Sequence, residues 1–174
     1  MSLRLVFDLH GILDLWLSQQ RVDALYEEER GQVILDDDGS LYLIRVYLVR
    51  VMRRVLPGLF IHRFCRSDHD RELHNHPWDW AVALVLTGGY VEERKEGLEG
   101  RVTKRTLRPL SLNLIRSSTF HRVQLLDEEA GAWTLFLAGP RATGGWGFLD
   151  PDTLHYEDAG VRSERLKKER ARAA

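Results

Sequence analysis

Short apolar runs, most of them alternating with polar residues, recur along the middle of the chain and are separated by turn residues. Val33-Ile34-Leu35 meets Asp36-Asp37-Asp38-Gly39, and Leu41 to Met52 follows, with Tyr42, Ile44, Val46 and Leu48 alternating against Leu43, Arg45, Tyr47 and Val49. Alternation with period two marks strands, and Asp-Gly between two such runs marks a hairpin. Pro57-Gly58 is the next turn, Leu59 to Cys65 the next strand, and Arg66 to Arg71 a polar loop. A long strand is expected from Glu72 to Leu86, bent at Pro77, which cannot donate to a ladder. Gly88-Gly89 turns the chain into Tyr90 to Arg94, and strands follow at Val102 to Leu107, Leu110 to Arg116, Phe120 to Leu126 and Ala132 to Ala138. Many short strands with turns every eight to twelve residues predict an all-β sandwich or barrel.

The two ends read differently. Leu9, Ile12, Leu13, Trp16 and Leu17 recur at helical spacing, so Leu3 to about Glu29 is expected to be helical, packed on the outer face of the sheet or presented to a partner. From Val161 onward, Arg162, Arg165, Lys167, Lys168, Arg170 and Arg172 stand against Glu164 and Glu169. That tail is expected to be a frayed, solvated helix or a disordered end, with a nucleic-acid arm as the alternative. The expected layout is one domain: a helical extension over 1–31, a β barrel over 32–150 and a tail over 151–174.

Composition narrows the class. The chain has 174 residues, enough for one well-formed core, with 44% hydrophobic and 29% charged residues and a net charge of −1. That balance points away from wholesale nucleic-acid or membrane binding. Cys65 is the single cysteine and has no internal disulfide partner, which fits a reducing, cytoplasmic setting. No leader-like segment and no run of about 20 apolar residues appears.

The candidate chemistry sits in Leu73-His74-Asn75-His76-Pro77-Trp78-Asp79-Trp80. On a strand, His74 and His76 share one face, which puts two imidazoles side by side. His121, in Ser117-Ser118-Thr119-Phe120-His121-Arg122-Val123, begins another β run, and a sheet folded on itself brings it to the first pair. Three neutral imidazoles bind one face of a divalent metal and leave the other open, as catalytic sites require. The plainer reading is polar residues at strand ends. The three aspartates at 36–38 lack the spacing of a helix–loop–helix calcium site and read as a solvated turn.

Around the histidines, Asp79 is a candidate partner for a ligand imidazole or an anchor for its loop. Trp78, Trp80, Tyr90 and Trp146 are candidates for a pocket wall or simply for core and rim. Arg63 and Arg122 are candidates for gripping a substrate carboxylate or phosphate, and surface ion pairs are the alternative. Glu72 shares the parity of His74 and His76, and one of His62 and Arg63 faces inward. His10, His69 and His155 lie outside the motifs, and Cys65 reads as a buried thiol rather than a nucleophile.

His74-Asn75-His76, the run to Gly88-Gly89 and the Arg116 to Val123 segment resemble the two motifs of the cupin superfamily, and the likeness spans roughly Leu41 to Phe148. Arg-Ser-Asp-x-Asp followed by Leu-His-x-His-Pro-Trp is similar in particular to small bacterial and phage cupins of undefined function. The resemblance implies a jelly-roll barrel, often a homodimer, with a metal on His74, His76 and His121. Iron(II) comes first, with nickel, zinc or manganese also compatible, and the ligand is a small molecule. The chain departs from the pattern at Trp80 and Ala81, where the usual glutamate should fall, and at Arg116 and Ser118, where proline and glycine are common. A three-histidine set resembles the iron site of the thiol dioxygenases, although Thr134 to Ala138 stands where those enzymes carry Ser-x-His-x-Tyr. The implied function is a metal-dependent, dioxygenase-like enzyme on a small polar molecule, with a non-catalytic ligand-binding or structural cupin as the alternative.

Overall fold

A computed structural model of the protein describes residues 8–19, 31–49, 58–68 and 71–173. The expected helix before residue 8 and over 20–30, the strand end at 50–52, Pro57 and His69 lie outside the described residues. The elements are α1 (Leu9–Gln19), β1 (Gly31–Leu35), β2 (Leu41–Val49), β3 (Gly58–Phe64), β4 (Leu73–His74), β5 (Trp80–Thr87) and β6 (Tyr90–Glu96). They continue as β7 (Thr103–Leu107), β8 (Leu112–Arg116), β9 (Thr119–Leu125), β10 (Ala132–Ala138), β11 (Gly147–Leu149), β12 (Tyr156–Asp158) and α2 (Ala159–Ala173).

The strands form two six-stranded sheets, ordered β1-β2-β3-β10-β5-β8 and β12-β11-β4-β9-β6-β7, with antiparallel pairing throughout. This is the expected jelly-roll sandwich. Period-two alternation gives each strand one inward face. Phe60, Ala81, Ala83, Ile115, Phe136 and Ala138 form one part of the interior, and Val85, Tyr90, Leu107, Val123 and Ala132 another. Gly88, with φ +70°, makes the β5–β6 turn, and a Cβ there would sit 2.2 Å from the Gly131 carbonyl oxygen.

The expected single strand from Glu72 to Leu86 is two strands in different sheets. β4 pairs with β9 and β11, and β5 pairs with β10 and β8. Pro77, without an N–H, stands at the crossover. The crossing segment is held by backbone bonds from Ala142 N to Pro77 O at 3.0 Å, Asp79 N to Pro140 O at 2.9 Å and Ser117 N to Asp79 O at 3.1 Å.

α1 packs on the outside of the first sheet. Leu13, Trp16 and Leu17 cover Ile44, Val46, Ile61, Leu86 and Trp133. Its apolar stripe is narrower than the spacing predicts, because Leu9 and Ile12 are exposed. A polar seam adds direction: Asp14 Oδ1 accepts from Arg63 Nε at 2.9 Å and Trp133 Nε1 at 2.8 Å, and His10 Nδ1 lies 2.7 Å from Thr87 Oγ1.

The tail is an ordered helix tied at its first turn, not a wholly solvated end. Arg162 is buried, its Nε donates to Asp37 Oδ2 at 3.0 Å, it also bonds Glu72, and its guanidinium lies 4.2 Å from the Phe148 ring centre. The 36–38 turn is therefore more than a solvated one, since it holds the anchor of α2. No helix of the described residues is long and apolar enough to cross a membrane.

Candidate metal centre

Register alone brings two of the three histidines together. His74 on β4 is the cross-strand partner of His121 on β9, and their ring centres are 4.8 Å apart. His76 lies past the end of β4, in the crossover, with its ring centre 5.0 Å from that of His121 and 5.2 Å from that of His74. One potential ligand atom from each of the three lies within 4.8 Å of the others, and among the described residues this is the group of that kind. His76 Nε2 and His121 Nε2 are 2.8 Å apart. Two nitrogens at about 2.0–2.1 Å from one metal and at right angles to each other stand roughly 2.9 Å apart, so this spacing fits adjacent ligands.

Asn75, between the two histidines, points the opposite way and fastens the segment. Its Nδ2 donates to Ser117 O at 3.0 Å, its Oδ1 accepts from Gly147 N at 2.8 Å, and its own N–H donates to Gly147 O at 3.1 Å. The His-x-His pair is thus clamped between β11 and the β8–β9 turn, which replaces the strand pairing that His76 lacks.

The carboxylate missing from the expected position comes from elsewhere. Glu92 on β6 is fully buried, and its Oε1 accepts from His121 Nδ1 at 2.6 Å and from Asn113 Nδ2 at 2.7 Å. Arg105 Nε donates to Oε2 at 2.6 Å. Glu92 pairs in register with Val123, two residues from His121, so the two side chains are diagonal neighbours on one face. Burial pushes the Glu92 carboxyl up, but hydrogen bonding from His121, that residue's charge, and the bonds from Asn113 and Arg105 outweigh it and hold it at about 2. A carboxylate on Nδ1–H sets the tautomer and turns the Nε2 lone pair toward the cluster. The residue was legible only as an acidic side chain in step with buried Tyr90, and strand parity was the one signal for it.

The other two imidazoles are held neutral. Burial, the charge of His121, and against them Asp68 and Glu92, leave His74 at about 4. Burial, then His121, His74, Arg45 and His62, take His76 well below the usual range. Neutral imidazole is the ligating form, so His74 and His76 are ready donors, and three imidazoles are a donor set that suits a divalent metal. Asp68 Oδ2 stands 3.8 Å from His74 Nδ1 and accepts from Val123 N at 2.6 Å.

Of the other sequence candidates, Trp78 stands at the site: its ring lies 5.4 Å from His76 at 30° and 5.4 Å from Phe136. Tyr90 lies in the core, 6.0 Å from Phe64, rather than on a pocket wall, and burial pushes its hydroxyl to about 12. Three further candidates lie away from the cluster, two of them in the ion pairs that were the other reading of their sequence. Asp79 is exposed, and its backbone rather than its carboxylate anchors the crossover. Arg63 is on the outer face, bonded to Asp14 under α1. Arg122 is also outside, with Nε 2.7 Å from Glu93 Oε2, because it alternates with inward His121. Glu72, bonded to Arg162, does not join the cluster. Inward on β3 is His62, and its partner in register, Arg45, was missed: Arg45 Nε donates to His62 Nε2 at 2.9 Å. A cavity of about 430 Å³ reaches His74 from the α2 side, bounded by Tyr42, Asp68, Trp146, Phe148 and Arg162.

No protein-family model matches the chain, and no curated protein matches it in sequence. Solved structures match its fold. Fe(II) HppE in complex with substrate is 14% identical, with a TM-score of 0.51 over 64% of this chain and 57% of that one. The hydroxypropylphosphonic acid epoxidase from S. wedmorenis gives 13% and 0.48 over 63% and 56%. The capsular polysaccharide assembling protein CapF from Staphylococcus aureus gives 13% and 0.47 over 74% and 31%. The chain spans a little over half the length of the epoxidase structures it matches. The fold shared with the Fe(II) HppE complex is the jelly-roll sandwich, and in this chain three histidines lie close together within it.

Proposed function

We propose that His74, His76 and His121 hold a divalent metal, iron(II) in the first place, and that the protein is a metal-dependent, dioxygenase-like enzyme acting on a small polar molecule. The observation that carries this reading is the set of three neighbouring imidazoles, one of them locked by Glu92, with no fourth carboxylate or thiol in the cluster among the described residues. A fourth protein ligand would close the site, whereas three leave positions for a ligand, as in catalytic centres. The metal, when bound, supplies a Lewis acid and, as iron(II), a redox centre for dioxygen chemistry.

The protein's own part is structural and electrostatic. Glu92 and Asn75 hold the imidazoles in place before any ligand arrives. Trp78 and Phe136 wall the site with aromatic surface that excludes water on the His76 side. The cavity at His74 offers a route for a small molecule.

The test is metal loading under anaerobic conditions. Wild-type protein should take up one equivalent of iron(II), His121→Ala should take up none tightly, and the loaded protein should consume dioxygen with one of a panel of small polar acids, thiols and alcohols. Absence of stoichiometric metal, or equal binding by His121→Ala, would refute the site; a loaded protein inert to the whole panel would refute the enzyme.

A further inference from the structure

Arg45 is a partly buried cation that no carboxylate of the described residues neutralises. Arg45 on β2 faces inward beside His62 on β3, and its guanidinium carbon lies 5.4 Å from the Phe60 ring centre and 5.7 Å from that of Trp78. Its hydrogen-bond partners are neutral: His62 Nε2 at 2.9 Å, the Gln32 side-chain oxygen at 3.4 Å and the Tyr47 hydroxyl. Among the described residues no carboxylate pairs with it, although most other arginines inside or near the sandwich have one: Arg63, Arg94, Arg105, Arg122 and Arg162 each meet an Asp or Glu. Desolvation lowers the Arg45 pKa from its ordinary value, and no nearby carboxylate offsets it. Next in the same layer, Thr134 is the register partner of His62, and its buried hydroxyl oxygen has no hydrogen-bond partner.

The position bears on the histidines. Trp78 lies between the two groups, contacting Arg45 on one side and stacking on His76 on the other. Phe136 likewise touches both His62, at 4.8 Å between ring centres, and His76, at 6.0 Å. A partly buried cation without a counter-ion is costly in proportion to the water it has lost, and the buried Thr134 hydroxyl without a partner adds to the cost. Both costs vanish if an anionic group supplies the missing acceptors. A planar guanidinium with donors to spare is the side chain best shaped to grip an oxyanion.

We infer that Arg45, with His62 and Thr134, forms an oxyanion-binding subsite in the barrel next to the histidine cluster, and that the small molecule this protein takes carries a carboxylate or phosphoryl group at the end away from the metal. The inference rests on the metal reading for the ligand's other end, but the subsite stands on its own residues. His62 orients Arg45: accepting from Arg45 at Nε2 requires that nitrogen to be unprotonated, and burial together with Arg45 keeps the ring neutral.

The experiment titrates the full chain with inorganic phosphate and, separately, acetate. Tryptophan fluorescence and thermal melting are followed in metal-free and metal-loaded protein, for wild type, Arg45→Met and His121→Ala. Wild type should bind at least one of the anions and gain melting temperature; which one binds separates phosphoryl from carboxylate preference. Arg45→Met should weaken that binding by about tenfold or more. It should also melt no lower than wild type without anion, because it removes an uncompensated charge while keeping the side-chain volume. His121→Ala should keep the anion response, so loss of metal binding and loss of the subsite are read apart. Unchanged anion affinity in Arg45→Met, or no anion response in wild type, would overturn the proposal. A clear fall in the anion-free melting temperature of Arg45→Met would also overturn it, by making Arg45 a structural residue.

Discussion

Glu92 Oε1 lies 2.6 Å from His121 Nδ1, in a pocket where neither side chain has appreciable contact with solvent. The contact joins the acidic residue of one strand to a candidate ligand on the next, and it decides which nitrogen His121 can offer. The same carboxylate also receives Asn113 and Arg105, so it is a hub rather than a single bond.

Replacing Glu92 with alanine should therefore do two things. Metal affinity, measured by competition with a chromophoric chelator, should fall 10–100-fold, as for loss of a carboxylate that orients a ligand histidine. Unfolding free energy should drop by about 3 kcal/mol, because Arg105 and His121 lose a buried partner. Glu92→Gln keeps the acceptor and should recover part of the metal affinity.

Stability of the metal-free protein should fall in acid in two overlapping stages. His74 is at about 4 in the folded state and ordinarily near 6.5, so the unfolded chain binds the extra proton first. Its contribution is whole above pH 6.5 and is lost as the pH falls toward 4. Glu92 is at about 2 against an ordinary 4.5, so its contribution is whole above 4.5 and is lost as the pH falls toward 2. Each shift corresponds to roughly 3 kcal/mol at most. Urea melts at half-unit pH steps check this, and His74→Gln should flatten the slope between pH 6.5 and 4.

Asn75→Ala should weaken metal binding without touching an imidazole. It deletes one side-chain donor and one acceptor that pin the His-x-His segment. The expected loss of stability is about 1–3 kcal/mol. Metal affinity should fall while the stoichiometry in a titration stays at one, which distinguishes misplacement of His74 and His76 from loss of a ligand.

Arg162→Ala should release α2. The side chain connects that helix to Asp37 and Glu72, and its removal leaves the acidic groups facing one another. Hydrogen exchange over 159–173 should quicken by at least tenfold, with about 2–4 kcal/mol lost from the helix's local stability. Exchange in β9 and β10 should be little changed.

The strand pattern was legible because each strand has one buried and one exposed face, and burial writes itself into the chain with period two. β3 and β6 to β10 fall within two residues of the expected bounds and β2 begins where expected, whereas β5 is the second half of a strand expected to start at Glu72. β11 and β12 were missed: three residues each are too few to show a period. The three histidines were legible as types and spacing, but His76 reaches the cluster from a crossover rather than from the strand that suggested it. Pro77 marked a bend, and whether the chain then stayed in one sheet or moved to the other depended on which strands had room beside them.

What the sequence determined by itself was therefore local: the alternation, the turns, the helix on the N-terminal flank, and a His-x-His beside a proline. Tertiary structure alone decided the pairings across the barrel. His74 meets His121 because β4 lies in register with β9, Glu92 reaches His121 because β6 flanks β9 on its other side, and Arg45 meets His62 because β2 pairs with β3. The physical reason is that a side chain's face follows from its own neighbours in sequence, whereas its partner follows from strand order, which is set by burying all the inward faces at once.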